Sequence, residues 1–249
     1  TPLYSSAASD VYKRQAREVR EAKRLGLTVD GAPFFANQRI GAGRTVAIPL
    51  AEYDMPTDFS APAEVDILYQ DDALIAVRKP APLQVHPSPS APRGADTLEG
   101  RVQSYLRGGA HPVHRLDAET TGIVLFAKLP YVQAHIQRQM QADTFRKEYL
   151  ALVCGVLPDS EGVIDAPIDR VAPDSFTRAV LPGGQRAVTR YRVEAALRDI
   201  SLVRLFPVTG RTHQLRVHMA HIGHPLLGDT RYFTAESANL AAQYHAPYH

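Results

Sequence analysis

Asp117 is the residue for which chemistry is easiest to write. It stands in His114-Arg115-Leu116-Asp117-Ala118-Glu119-Thr120-Thr121-Gly122, two residues after an arginine and just ahead of a Thr-Thr-Gly turn. A carboxylate in a polar loop, backed by a rigid strand, can serve as a nucleophile or as a stabiliser of positive charge. A solvated ion pair in a surface turn fits the same residues. Tyr149 lies in an otherwise apolar stretch, which also suits a packed core tyrosine with a satisfied hydroxyl. His218, His221 and His224 raise a metal reading, and a metal-dependent hydrolase using Asp117 with His218 and His221 is a rival enzyme class. His218 and His221 fall three apart on an expected helix, but His224 lies beyond Gly223. Neither a His-Glu-x-x-His pair nor a cysteine cluster accompanies them. The chain has no Gly-x-Ser-x-Gly elbow, Walker loop or dinucleotide fingerprint.

The elements that must hold these residues can be read from period and punctuation. Ile123 to Lys128 is a continuous apolar run, expected as a strand buried on both faces. Val65–Tyr69 and Ala73–Lys79 read as strands joined by a turn at Gln70-Asp71-Asp72. A proline-rich loop follows Pro80; Asp96-Thr97-Leu98-Glu99 then opens a helix as a capping box does, and Gly108-Gly109 stop it. Pro130 starts a second helix whose apolar face is Val132, Ile136 and Met140. Arg146–Val153 is expected as a strand, with Lys147, Tyr149, Ala151 and Val153 on one side. Gly155 to Gly184 is expected to be an irregular excursion. Ala187–Leu197 and Ile200–Val208 should form a hairpin turning at Arg198-Asp199. Thr212 is expected to cap a helix with Leu215, Met219 and Ile222 inward, closed by Gly223. Strands and helices mix without strict alternation, so the expected class is α+β with a mixed, largely antiparallel sheet and flanking helices.

The His114–Gly122 stretch resembles the catalytic-loop motif of the RluA-type RNA pseudouridine synthases. Three further segments resemble that family in the same order: Ile67–Pro80 with Val85-His86-Pro87-Ser88; Lys147-Glu148-Tyr149; and Gly210-Arg211-Thr212-His213-Gln214-Leu215-Arg216-Val217-His218. The resemblance spans about Val65 to Tyr232. It implies an isomerase, an intramolecular transferase that converts uridine to pseudouridine within RNA, with its site in a cleft across the middle of the sheet. The catalytic set it implies is Asp117 as nucleophile, Arg216 pairing with that aspartate, and Tyr149 stacking on the target base over an apolar floor at Leu215, with a further part for the tyrosine at the ribose C2′ proton. It also implies that Arg115 helps fill the space left by an extruded uridine. Arg211, Thr212 and His213, at a helix start, are candidates for holding a phosphate through backbone N–H groups. The reaction has no redox step, so neither a cofactor nor a metal is expected. A catalytically inactive RNA-binding protein on the same scaffold is the nearer rival.

With 249 residues, the chain is long enough for one large domain and a small one. The net charge of +2 is modest, but 23 arginines stand against 5 lysines. Arginine suits phosphate forks and base stacking, although an arginine-rich genome composition accounts for the bias equally well. Residues 1–15 fit no element and are read as a non-native or disordered leader. Residues 16–52 resemble the second half of an S4 RNA-binding domain, with Arg17, Arg20, Lys23 and Arg24 at helical spacing as its RNA-facing helix. Residues 53–64 read as a linker, and residues 65–249 as the catalytic domain, expected to be truncated at its C-terminus. The RNA partner favoured is large-subunit ribosomal RNA over tRNA. One cysteine and no membrane-length apolar run favour a cytoplasmic setting without a membrane partner.

Overall fold

Alternating inward and outward residues build the larger unit (Ser60–Leu106 with Ala110–His249) around two antiparallel four-stranded sheets. The computed structural model describes residues 27–34, 42–47, 64–88, 92, 94–142 and 144–246. The first sheet contains β4 (Asp66–Gln70), β5 (Leu74–Lys79), β6 (His111–Pro112) and β7 (Gly122–Ala127), in the order β4-β5-β7-β6. On β5 and β7, Ile75, Val77, Val124 and Phe126 face one way and pack with Leu98 and Val102 of helix α1 (Leu98–Leu106). Leu74, Leu125 and Ala127 face the other way and meet Val132, Ile136 and Met140 of α2 (Pro130–Gln141). The period of two along each strand thus supplies a helix-covered core on both faces. Ile123, at the start of β7, is 59% exposed, so the expected two-sided burial fails at that end of the run.

The helix starts follow their local chemistry. Thr97 Oγ1 accepts the Gly100 N–H at 3.2 Å, and Pro130 occupies the first turn of α2.

The second sheet runs β8-β13-β12-β9, from Tyr149–Cys154, Ile200–Pro207, Val188–Leu197 and Glu161–Asp165 respectively. The β12–β13 hairpin closes with Leu197 opposite Ile200, as the Arg198-Asp199 turn requires. Val153, Val203 and Leu205 are fully buried beneath Met219 of α3 (Gln214–His221). Each such side chain contributes about 1.5–3 kcal/mol of transfer free energy. The region from Gly155 to Gly184 is more ordered than its glycines, prolines and aspartates indicate. It contains β9 and the small β10–β11 ribbon (Ile168–Arg170, Arg178–Val180). These strands are short and half-exposed, so no apolar period marks them. Helix α4 (Ala235–Gln243) is held by a reciprocal Thr234–Ser237 capping box and packs Ala241 near Cys154, Ile200 and Leu227.

The smaller unit comprises Thr1–Phe59 and Arg107–Gly109. In it, β1 (Leu27–Val29), β2 (Ala32–Phe34) and β3 (Val46–Ala47) make an antiparallel sheet in the order β2-β1-β3. Asp30 and Gly31, at φ 49° and 80°, turn the β1–β2 hairpin. The leader, the basic helix carrying Arg17, Arg20 and Arg24, and the linker up to residue 63 lie outside the described residues.

Candidate active site

Asp117 sits in the loop between β6 and β7, with its side chain 22% exposed. The loop rejoins the sheet at Gly122, whose φ of 136° suits a residue without Cβ. A fully buried lysine anchors the loop from behind. Lys79 continues the inward face of Ile75 and Val77, and its Nζ donates to the carbonyls of Pro80, Leu83 and Ala118 at 2.7–2.8 Å. Burial pushes its pKa down to about 8, against the opposing pull of Glu119 and Asp117. The residue following Asp117 is therefore tied to the β5 strand end by a charge-assisted bond.

Arg216 comes from α3, and its guanidinium is divided between two acids. Nε and Nη2 grip Asp229 in a bidentate pair at 2.7 and 2.8 Å, leaving Nη1 3.7 Å from Asp117 Oδ2. The Asp229 side chain is completely buried. Its Oδ1 also accepts the backbone N–H groups of Arg231 and Tyr232 at 2.8 and 2.9 Å. Burial opposes both charges. The paired hydrogen bonds outweigh it, lowering the pKa of Asp229 and raising that of Arg216. The ring of Tyr232 lies 5.1 Å from the guanidinium carbon, a cation–π stack that fixes the arginine plane.

Tyr149, at the start of β8, packs against the cores of both large sheets. Burial raises the pKa of its phenol, and the charge of Asp117 raises it further. Lys147, two residues earlier, is half-buried, and a Cβ placed on Gly210 would come within 3.3 Å of its Nζ. Leu215 packs partly buried against the second core. Arg115 is exposed, with Nη2 at 3.5 Å from Thr212 Oγ1.

His114 is half-buried; its Nε2 accepts the Leu125 N–H at 3.3 Å, and desolvation together with Lys147 brings its pKa down to about 4.

The turn before α3 differs from its sequence reading. The capping position belongs to His213, in the left-handed conformation at φ 57°, rather than to Thr212, and no side chain caps the helix. Gln214 takes over the local satisfaction. Its Oε1 accepts from Arg211 N and Thr209 Oγ1, and its Nε2 donates to Val188 O and Thr189 Oγ1. The Arg211 N–H is thereby engaged and is not open to a phosphate. The Arg211 side chain donates through Nε to Arg186 O at 3.0 Å. His218 is fully buried, with Nδ1 on Thr189 Oγ1 and Nε2 on Ala166 O. Both ring nitrogens face protein partners, which removes the His218/His221 metal pair. Among the described residues no group of three His, Cys, Asp or Glu could hold a metal.

A sequence profile described as RNA pseudouridylate synthase matches residues 73–221, which carry Asp117, Tyr149 and Arg216. The chain belongs to the RNA pseudouridylate synthase family. It is an RNA pseudouridine synthase, and its α+β class agrees with that of solved relatives. The synthase is 34% identical over 225 residues to an uncharacterized RNA pseudouridine synthase of Bacillus subtilis, YlyB, covering 87% of this chain and 74% of the relative. It is 38% identical over 202 residues to ribosomal large subunit pseudouridine synthase D of Haemophilus influenzae, covering 78% of this chain and 61% of the relative. The human RNA pseudouridylate synthase domain containing 1 protein superposes with a TM-score of 0.59 at 26% identity over 74% of each chain.

Sequence reading brought forward Asp117 and Arg216, which approach to 3.7 Å, and Tyr149, whose phenol feels the Asp117 charge. It passed over Asp229, Tyr232, Gln214 and Lys79. For Lys79 a signal existed: it falls two residues after Val77 and four after Ile75, on the inward period of β5. For Asp229, in a turn between Gly228 and Thr230, no local pattern names the partner.

Proposed function

We propose that this synthase modifies uridines in large-subunit ribosomal RNA, with Asp117 as the residue that attacks or charge-stabilises the ribose. The observation that carries the catalytic assignment is the Asp117–Arg216 juxtaposition at 3.7 Å, with Arg216 locked to a buried second acid. A guanidinium held in that way sets a fixed positive charge beside the Asp117 carboxylate. The isomerisation breaks the N1–C1′ bond, turns the base within the pocket, and joins C5 to C1′. The C5 hydrogen leaves as a proton and N1 regains one. Tyr149 stacks on the base over Leu215, and Arg115 fills the space vacated by the extruded nucleotide, whose unstacking costs a few kcal/mol. Arg211 contacts phosphate through its side chain, with Thr212 and His213 lining the same turn. Arg17, Arg20 and Arg24 extend the contact to RNA from an S4-like segment. Ribosomal RNA as substrate rests on likeness to relatives named for that activity, and a cytoplasmic setting is part of the same proposal.

The test of the assignment is Asp117→Asn. The amide retains shape but cannot supply an anionic oxygen, so tritium release from C5-labelled uridine in transcribed ribosomal RNA should fall by several orders of magnitude. Filter binding of the same RNA should remain near wild type. A variant that still releases tritium at close to the normal rate would remove Asp117 from the mechanism. Pseudouridine mapping of ribosomal RNA and tRNA from cells lacking the gene decides the substrate.

A further inference from the structure

Beside Asp117, His213 and Tyr232 make a contact that the arrangement above leaves without a task. His213 is half-buried in a left-handed conformation, and its Nδ1 is 2.6 Å from the hydroxyl of Tyr232. Its Nε2 is 4.0 Å from Asp117 Oδ2. The Tyr232 hydroxyl itself accepts the backbone N–H of Arg178 at 3.0 Å. That amide fills one of the two acceptor sites of the oxygen, and among the described residues Nδ1 is the one acceptor that the hydroxyl meets, so its proton goes to Nδ1. Nδ1 is then an acceptor, and the one imidazole proton must sit on Nε2, the nitrogen that faces Asp117.

We infer that Tyr232 and His213 form a positioning pair, in which the tyrosine hydroxyl sets the imidazole tautomer so that an Nε2–H is held toward the Asp117 carboxylate. This rests on the proposed role of Asp117. The groups facing the ring support it. Burial lowers the pKa of His213, and the neighbouring Arg216, Arg231 and Arg178 act in the same direction, against the pull of Asp117. All of these but Asp117 favour the neutral ring, in which only one nitrogen can donate. Arg216 Nη1 and His213 Nε2 both approach Oδ2 of Asp117, at 3.7 and 4.0 Å. Oδ1 is left as the oxygen free to meet the ribose. The opposite tautomer would turn an imidazole lone pair toward a carboxylate, a repulsive contact. Tyr232 is in turn fixed by its backbone N–H to Asp229 and by its ring beneath Arg216, so one turn orients both groups that flank Asp117.

The full chain labelled with nitrogen-15 histidine reads the tautomer directly from long-range nitrogen–proton NMR, with the His213 signals assigned by their loss in His213→Gln. The expected spectrum has a protonated Nε2 and an unprotonated Nδ1, and Tyr232→Phe should move population toward the Nδ1–H form. In single-turnover assays Tyr232→Phe should lower the rate roughly tenfold with RNA affinity unchanged. His213→Gln keeps an N–H donor that needs no tautomer, so adding Tyr232→Phe to it should cost less than about twofold. An Nδ1–H tautomer in the wild type overturns the inference. So does an equal fold-loss from Tyr232→Phe in both backgrounds, which would make the hydroxyl a structural prop independent of His213. An active Asp117→Asn would instead strike the catalytic assignment, while the nitrogen shifts still decide the state of the pair.

Discussion

Two aspartates share one arginine, and their environments divide their tasks. Asp229 has a fully buried side chain with four hydrogen-bond donors, whereas Asp117 is 22% exposed and has only longer contacts to Arg216 and His213. The first is fully engaged within the fold, and the second has the looser contacts that the proposed reaction at Asp117 requires. Asp229→Ala should therefore be the costlier change to the fold. It strands the Arg216 charge and two N–H groups, a loss of about 3–5 kcal/mol. For a chain of this size that lowers the melting temperature by roughly 10 °C. Asp117→Asn should leave the melting temperature within about 2 °C of wild type, since neither of its contacts is short. Calorimetry of the two variants side by side checks the contrast; equal losses would mean that the arginine leans on both acids alike.

At the level of elements, the Asp117 loop is fastened to the end of a strand by Lys79. A lysine is tolerated with no exposure because three carbonyls accept its protons. Lys79→Met keeps the stem and removes the ammonium. Ala118 O then loses its donor and the Asp117 loop its tether, so turnover should fall by about tenfold or more while the chain still folds. The lowered pKa gives a second readout. The folded group gives up its proton near pH 8, whereas in the unfolded chain it holds the proton to near 10.5. Between these values the unfolded state binds more protons, so the contribution of Lys79 to stability rises with pH and is lost again as pH falls through 8. The stability difference, wild type minus Lys79→Met, should thus grow in favour of wild type between pH 7.5 and 9.5 in urea titrations. A difference independent of pH would mean that the amine titrates normally.

Across the whole larger unit, Tyr149 joins the hydrophobic cores of the two sheets and also carries a phenol near Asp117. These roles separate by substitution. Tyr149→Phe retains the packed ring and should leave the unfolding midpoint close to wild type while reducing tritium release. Tyr149→Ala opens a cavity between the cores and should cost about 3–5 kcal/mol. If Tyr149→Phe keeps full activity and only Tyr149→Ala is impaired, the ring alone matters and the hydroxyl has no chemical part.

Much of this molecule follows from short-range pattern. The Arg198-Asp199 hairpin, the proline start of α2, the Thr97 cap and the inward face of β5 each depend on residues within a few positions of one another. So does the catalytic-loop motif that singled out Asp117. Other features depend on pairs that local rules do not relate. Ala118 meets Lys79 across 39 positions, Arg178 meets Tyr232 across 54, and Arg115 meets Thr212 across 97. Periodicity identifies the face a side chain takes, but it does not name the partner waiting there. The short strands β9 to β11 were hidden for a related reason, being half-exposed and lacking an apolar alternation. Sequence alone determined the family and the α+β class, and it singled out Asp117, Tyr149 and Arg216 as the residues proposed for the chemistry. Tertiary structure decided that Asp229 rather than Asp117 grips Arg216 closely, because only the closed fold brings a buried turn within hydrogen-bonding reach of the helix and leaves the Asp117 loop 3.7 Å away.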